Sequence, residues 1–188
     1  MPETDFVFVG YLVQEPYPTN WWKRPRRKLA SLENDVHPSL EQPQWETVKG
    51  VRNQTSFLLR PPDMAKYPGW LLCAYAIERD AIAQIRVQMV DRSIVGPFAY
   101  EYARHLKRSD DGLRRMGYEV MDARIDRLSI LNNCGYELEE IEIFGGPLNE
   151  YCLFDRLEDA QRFRENIRTQ TRNDSHSDGV IFEVWGSP

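Results

Sequence analysis

The chain has 188 residues and a mass of 22.1 kDa; 41% of it is hydrophobic, 28% charged and 12% aromatic, with a net charge of −5 and a pI near 5.3. A chain of this size can bury roughly 70% of its unfolded surface, so it needs no metal or disulfide to hold a core, and its aromatic content argues against disorder over most of its length. The acidic balance speaks against long-range attraction to nucleic acid or an anionic membrane.

No apolar window approaches the roughly 18–20 residues of a membrane span. The opening Met1-Pro-Glu-Thr-Asp5 has neither the basic nor the apolar part of a secretory signal. Three cysteines, an odd number, point away from a disulfide framework and towards a reducing compartment, so a cytoplasmic location is expected.

In chain order, Asp5 to Val13 (DFVFVGYLV) reads as a strand apolar on both alternating sides, and therefore covered on both faces, with Gly10 marking a bulge. From about residue 14 to 55, Pro16, Pro18, Pro25, Pro38 and Pro43 interrupt any long helix and predict a long connection. Phe57 to Leu59 and Trp70 to Ile77 read as strands separated by the turn-rich Arg60-Pro-Pro-Asp63. Asp80 to Val90 fits a strand by alternation and a helix by its Ile82, Ile85 and Met89 stripe, with the helix slightly favoured.

Three helices are expected further on. The first follows Pro97 and carries Phe98, Ala99, Tyr102, Ala103 and Leu106 on one side. The second holds Met121, Ile125, Leu128 and Leu131 and ends at Gly135. The third begins at Asp155 with Glu158 as its capping-box partner and a stripe of Leu157, Ala160, Phe163 and Ile167. Ile141 to Phe144 reads as a short strand ending at Gly145-Gly146-Pro147. After a polar loop from Thr169 to Asp178, Val180 to Trp185 is a last strand, expected beside the first. The order predicts one α+β domain over 1–188, with a mixed or antiparallel sheet and about three to four helices.

Motifs for chemistry are sparse. Cys73, Cys134 and Cys152 and His37, His105 and His176 have no zinc-type spacing, so no metal and no cofactor are expected. Cys73 reads as a small core residue inside a strand. No catalytic constellation stands out, and an enzyme would have to assemble its site from loops, with His37 or His105 as acid–base groups. The basic run Lys23-Arg-Pro-Arg-Arg-Lys28 after Trp21-Trp22 suits single-stranded nucleic acid, but in an acidic chain it reads first as a solvated loop.

The strongest charge feature lies between Glu137 and Asp159. Eight carboxylates stand there against Arg156 alone, a net of −7 with Tyr136 and Tyr151 interleaved. Glu137, Glu139, Glu140, Glu150 and Tyr151 are the candidate partner-binding residues, because charge steers encounter and aromatics anchor interfaces.

The same region carries a resemblance. Met116-Gly-Tyr-Glu-Val-Met-Asp122, Asn133-Cys-Gly-Tyr136, Leu148-Asn-Glu-Tyr151, Leu153-Phe154 and Leu157-Glu-Asp-Ala160 are together similar to small bacterial proteins of the immunity type. The resemblance covers residues 116–163. It implies a protein that neutralises a co-encoded toxin by occlusion, with a protein partner and no catalytic residue of its own; the acidic charge makes a basic nuclease the expected partner.

Overall fold

The runs FVFVGYLVQ, LLCAYAIE, VIFEVWG and RRMGYEVMD lie side by side in one sheet, because each carries large apolar groups on both alternating sides and must be covered on both. The computed structural model describes residues 5–15, 60–81, 108, 112–122, 128–132, 136–170 and 179–187. In chain order the elements are β1 (Phe6–Gln14), a 3-10 turn (Met64–Lys66), β2 (Leu71–Glu78), β3 (Arg114–Asp122), β4 (Leu128–Ser129), α1 (Leu138–Phe144), α2 (Leu157–Thr169) and β5 (Val180–Gly186). The sheet is antiparallel throughout, in the order β1-β2-β5-β3-β4, and the architecture is α+β.

β1 and β2 lie where the apolar runs place them, and β1 is bulged between Phe8 and Gly10. Gly10 has φ 141°, a backbone conformation that a side chain would strain. β5 departs from expectation. It pairs with β2 on one side and β3 on the other rather than with β1, so the last strand is central. The reason is in its pattern: Val180, Phe182 and Val184 on one side and Ile181 on the other are all buried, which an edge position would waste.

Two further expectations are corrected. The ends of the expected Met121–Leu131 helix are not helical: β3 runs through Met121 to Asp122, Leu128–Ser129 forms β4 with Met121 opposite Ser129, and residues 130–132 form a turn, while 123–127 lie outside the described residues. The apolar groups at Met121, Leu128 and Leu131 fit a helical period but are buried from two strands and a turn. Ile141 to Phe144 is not a strand but the second half of α1. Leu138, Ile141 and Phe144 recur at three-residue steps and turn inward, while Glu139, Glu142 and Ile143 turn outward. The Glu140 side chain accepts a hydrogen bond from the Glu137 backbone N–H at 3.0 Å, as in a capping box.

The stripe of α2 is as expected, with Ala160, Phe163 and Ile167 fully buried. Its start is not. The helix begins at Leu157 with Arg156 at the cap position, and Asp155 bonds elsewhere. Within 80–90, only residues 80 and 81 are described, in helical backbone. Phe57–Leu59, the helix expected after Pro97, Gly135 and the proline-rich connection lie outside the described residues.

The helices cover one face of the sheet, where Tyr118, Val120 and Ile181 meet Ile141, Phe154, Phe163 and Ile167. Tyr136 and Phe154 each sit 5.7 Å from Phe163, ring to ring. The other face buries Leu12, Cys73, Tyr75, Ile77, Met121, Phe182 and Val184. Gln14, Tyr75 and Glu119 are buried as well, and the Tyr75 hydroxyl donates to Gln14 Oε1. Arg164 on α2 donates to the Glu78 carboxylate, which also accepts from the Ile181 N–H at 3.2 Å, locking helix to sheet.

Candidate functional site

The acidic region is built from two pieces, and the chain holds each differently. The first is α1. Its last carbonyls would be orphans at a helix C-terminus, but α2 supplies the donors: Asn166 Nδ2 to the Phe144 carbonyl at 2.7 Å, and the Arg162 guanidinium to the Gly145 carbonyl. Rings seal the inner side, with Tyr136 and Phe144 packed edge to face at 6.3 Å. The outer side is left to water. Ile143 is 75% exposed, the one large hydrophobic among the described residues so placed, and Glu139 and Glu142 stand exposed beside it.

The second piece is the turn from Leu148 to Asp155. Asn149 organises it. Its side-chain amide donates to the Met116 carbonyl and to Asp155 Oδ1, both at 2.7 Å, and its side-chain oxygen accepts from the N–H groups of Tyr151 and Leu153 at 2.9 and 3.2 Å. Cys152 takes a left-handed conformation, φ 58°, to close the turn. Phe154 then exchanges both backbone hydrogen bonds with Tyr118 of β3, at 2.8 and 3.0 Å. That approach requires Gly117: at φ 147°, an added Cβ would lie 2.6 Å from the Phe154 carbonyl oxygen.

Between this turn and the ends of β3 and β5 lies a cleft of about 420 Å³. Arg114, Arg115, Glu150 and Asp155 line it with charges of both signs, and Tyr151 and Met116 supply apolar surface. Arg115 is partly committed: its guanidinium donates to the Tyr118 hydroxyl at 3.0 Å and lies 3.9 Å from the Glu183 carboxylate. Burial, reinforced by the negative charge of Glu183, pushes the Tyr118 phenol above its ordinary pKa, with Arg115 opposing. Tyr118 therefore stays protonated and can donate to Glu183, at 3.4 Å.

The five residues expected to bind a partner are thus divided. Glu137, Glu139 and Glu140 stand at the start of α1, on the helical side of the sheet, with Glu140 partly engaged in the cap. Tyr151 is half-buried and packs against the core of the opposite face, and it shares the cleft with Glu150. Sequence reasoning missed Ile143, Arg114 and Arg115. Reading 141–144 as a strand hid the helical period that puts Ile143 outside. The arginines lie outside the 137–159 stretch that carries the acidic excess.

Other chemistry-bearing groups are quiet. Cys73 is fully buried, and burial first, with the Glu119 charge adding and a Tyr75 hydrogen bond opposing, pushes its thiol up to about 12. It is the core residue expected and no nucleophile at neutral pH. Cys152 is buried too, and neither thiol is in a disulfide. Among the described residues, no group of three or more His, Cys, Asp or Glu could hold a metal ion, and no helix is long and apolar enough to cross a membrane. His37, His105, His176, Cys134 and the Trp21–Lys28 run lie outside the described residues. Compared with protein-family models, curated proteins and solved structures, the chain matches none.

Proposed function

We propose that this chain is a binding protein that neutralises a toxic enzyme encoded beside it, by occlusion, as the likeness of residues 116–163 to immunity-type proteins implies. What supports the reading is the outer side of α1, where an apolar side chain sits in water with carboxylates around it: Ile143 is 75% exposed, with Glu139 and Glu142 exposed beside it. An isolated apolar group of this size gains by burial in a partner, roughly 1.5–3 kcal/mol for a full Ile side chain. The carboxylates select a basic partner and speed its approach. A basic nuclease is the partner class that fits this chemistry. Glu137 and Glu150 extend the negative field, and Tyr151 contributes only where its ring reaches the cleft mouth.

The test is co-expression with the product of the neighbouring gene. A complex that survives purification and restores growth to cells making that product supports the reading, provided that Ile143→Asp weakens both. Absence of any complex with the neighbouring product, together with small-molecule turnover that depends on His37 or His105, would replace it with an enzyme.

A further inference from the structure

We infer that the cleft between β3 and the Leu148–Asp155 turn is a binding site for a small zwitterion of the α-amino-acid type, a role separate from protein binding at α1. Opposite charges line this one cleft without pairing: Arg114, Arg115, Glu150 and Asp155 all border it, yet among the described residues no ion pair links either arginine to either carboxylate. The side chains of Arg114 and Glu150 are exposed and make no hydrogen bond or ion pair with any described residue.

The two segments that carry these charges are held by separate backbone contacts. The Asn149 network and the Tyr118–Phe154 exchange hold the acidic segment, and pairing of Arg114 with Gly186 on β5 holds the basic one. Arg115 is turned towards Tyr118 and Glu183, and Asp155 has one oxygen taken by Asn149, so Arg114 and Glu150 are the least committed of the four charges.

A lone anion would meet Arg114 but also the repulsion of Glu150 and Asp155, and a lone cation the reverse. A ligand with a carboxylate at one end and an ammonium at the other satisfies both charges. The guanidinium of Arg114 offers the paired donors that a carboxylate accepts. The volume of about 420 Å³ is within the range of small-molecule sites, and Tyr151 and Met116 can take an apolar side chain.

The experiment is a two-dimensional amide NMR titration of the full chain with the natural α-amino acids, followed by leucine against isoamylamine and 4-methylpentanoate, which keep its side chain but lack one charge each. Saturable shifts at millimolar concentration, centred on the amides of Glu150, Tyr151, Gly186 and Ser187, are expected for at least one amino acid. The matched amine and acid should bind at least tenfold more weakly. Arg114→Gln and Glu150→Gln should each weaken binding about tenfold, the equivalent of about 1.4 kcal/mol, without moving the thermal midpoint. If no amino acid gives saturable shifts, or if the single-charge compounds bind as well as the zwitterion, the inference is wrong. Neither result bears on complex formation through Ile143.

Discussion

The carboxylates of α1 and those between Asp155 and Asp159 are alike in composition and opposite in use. Asp155 accepts from Asn149, Glu158 lies 3.5 Å from Arg156, and Asp159 accepts from Arg162 at 2.8 Å. These groups serve the fold. On α1, Glu139 and Glu142 are exposed and pair with no described residue, and only Glu140 is drawn back into the cap. The net of −7 therefore overstates the free acidic surface. An acidic count becomes an interface only where the nearby cations, such as Arg162 three residues beyond Asp159, are committed elsewhere.

The comparison breaks most visibly at the turn that precedes the second group. Gly117→Ala places a Cβ against the Phe154 carbonyl at a φ that side chains avoid. Strain and overpacking together should cost about 2–5 kcal/mol, read as a fall in the urea midpoint. Asn149→Ala removes two donated and two accepted hydrogen bonds at a half-buried site, and about 2–3 kcal/mol is expected. If α1 binds the partner proposed above, that binding should weaken in both variants only as far as the folded fraction falls. A loss of affinity at full folding would show that the two regions form one surface.

How much of this was legible depends on what each signal measures. β1, β2 and β5 were visible because their apolar runs are short, β-rich and bounded by turn residues. The stripe of α2 was visible because thirteen residues sustain one period. β5's neighbours were not, since pairing is decided by which strands are apolar on both faces, a property of the whole set. Leu138–Phe144 is seven residues, less than two full turns, too short for its period to beat the strand reading of Ile-Glu-Ile-Phe. Asp155 and Glu158 fit a capping box, but the side-chain amide of Asn149, six residues earlier, donates to Asp155 and draws its carboxylate away from the helix start. The cleft was hidden for the same reason: its walls come from residues 114–115 and 150–155, and only the sheet brings them together.

Alkaline titration reads the buried core rather than either acidic region. Cys73 is the group to watch: its thiol ionises near 9 when exposed and near 12 when buried in the native core. The unfolded chain therefore loses this proton first. Its contribution to stability is whole below pH 9 and is eroded as pH rises from 9 towards 12. The raised phenol of Tyr118 acts in the same direction above its ordinary value. Denaturation midpoints should decline over that interval, and Cys73→Ala should flatten the decline. Native protein at pH 8 should leave Cys73 unlabelled by a thiol reagent that labels it in urea.

The smallest change in stability, and the most informative for function, is expected at α1. Glu142→Lys reverses an exposed charge beyond the first helical turn, where it gains nothing from the helix dipole and pairs with no described residue, so stability should move by less than about 0.5 kcal/mol. Glu139→Lys sits in the first turn and should cost up to about 1 kcal/mol more. Glu140 is best left intact, because it accepts the Glu137 N–H and its loss would confuse capping with binding. If the outer side of α1 meets a basic partner, Glu139→Lys with Glu142→Lys should slow association and abolish most of its salt dependence, while dissociation stays near that of the parent chain. Ile143→Ala should do the converse, shortening the lifetime of the complex with little effect on its formation. Stopped-flow association at two ionic strengths separates these outcomes. An unchanged association rate in the double variant would return Glu139 and Glu142 to the class of solvated surface charge.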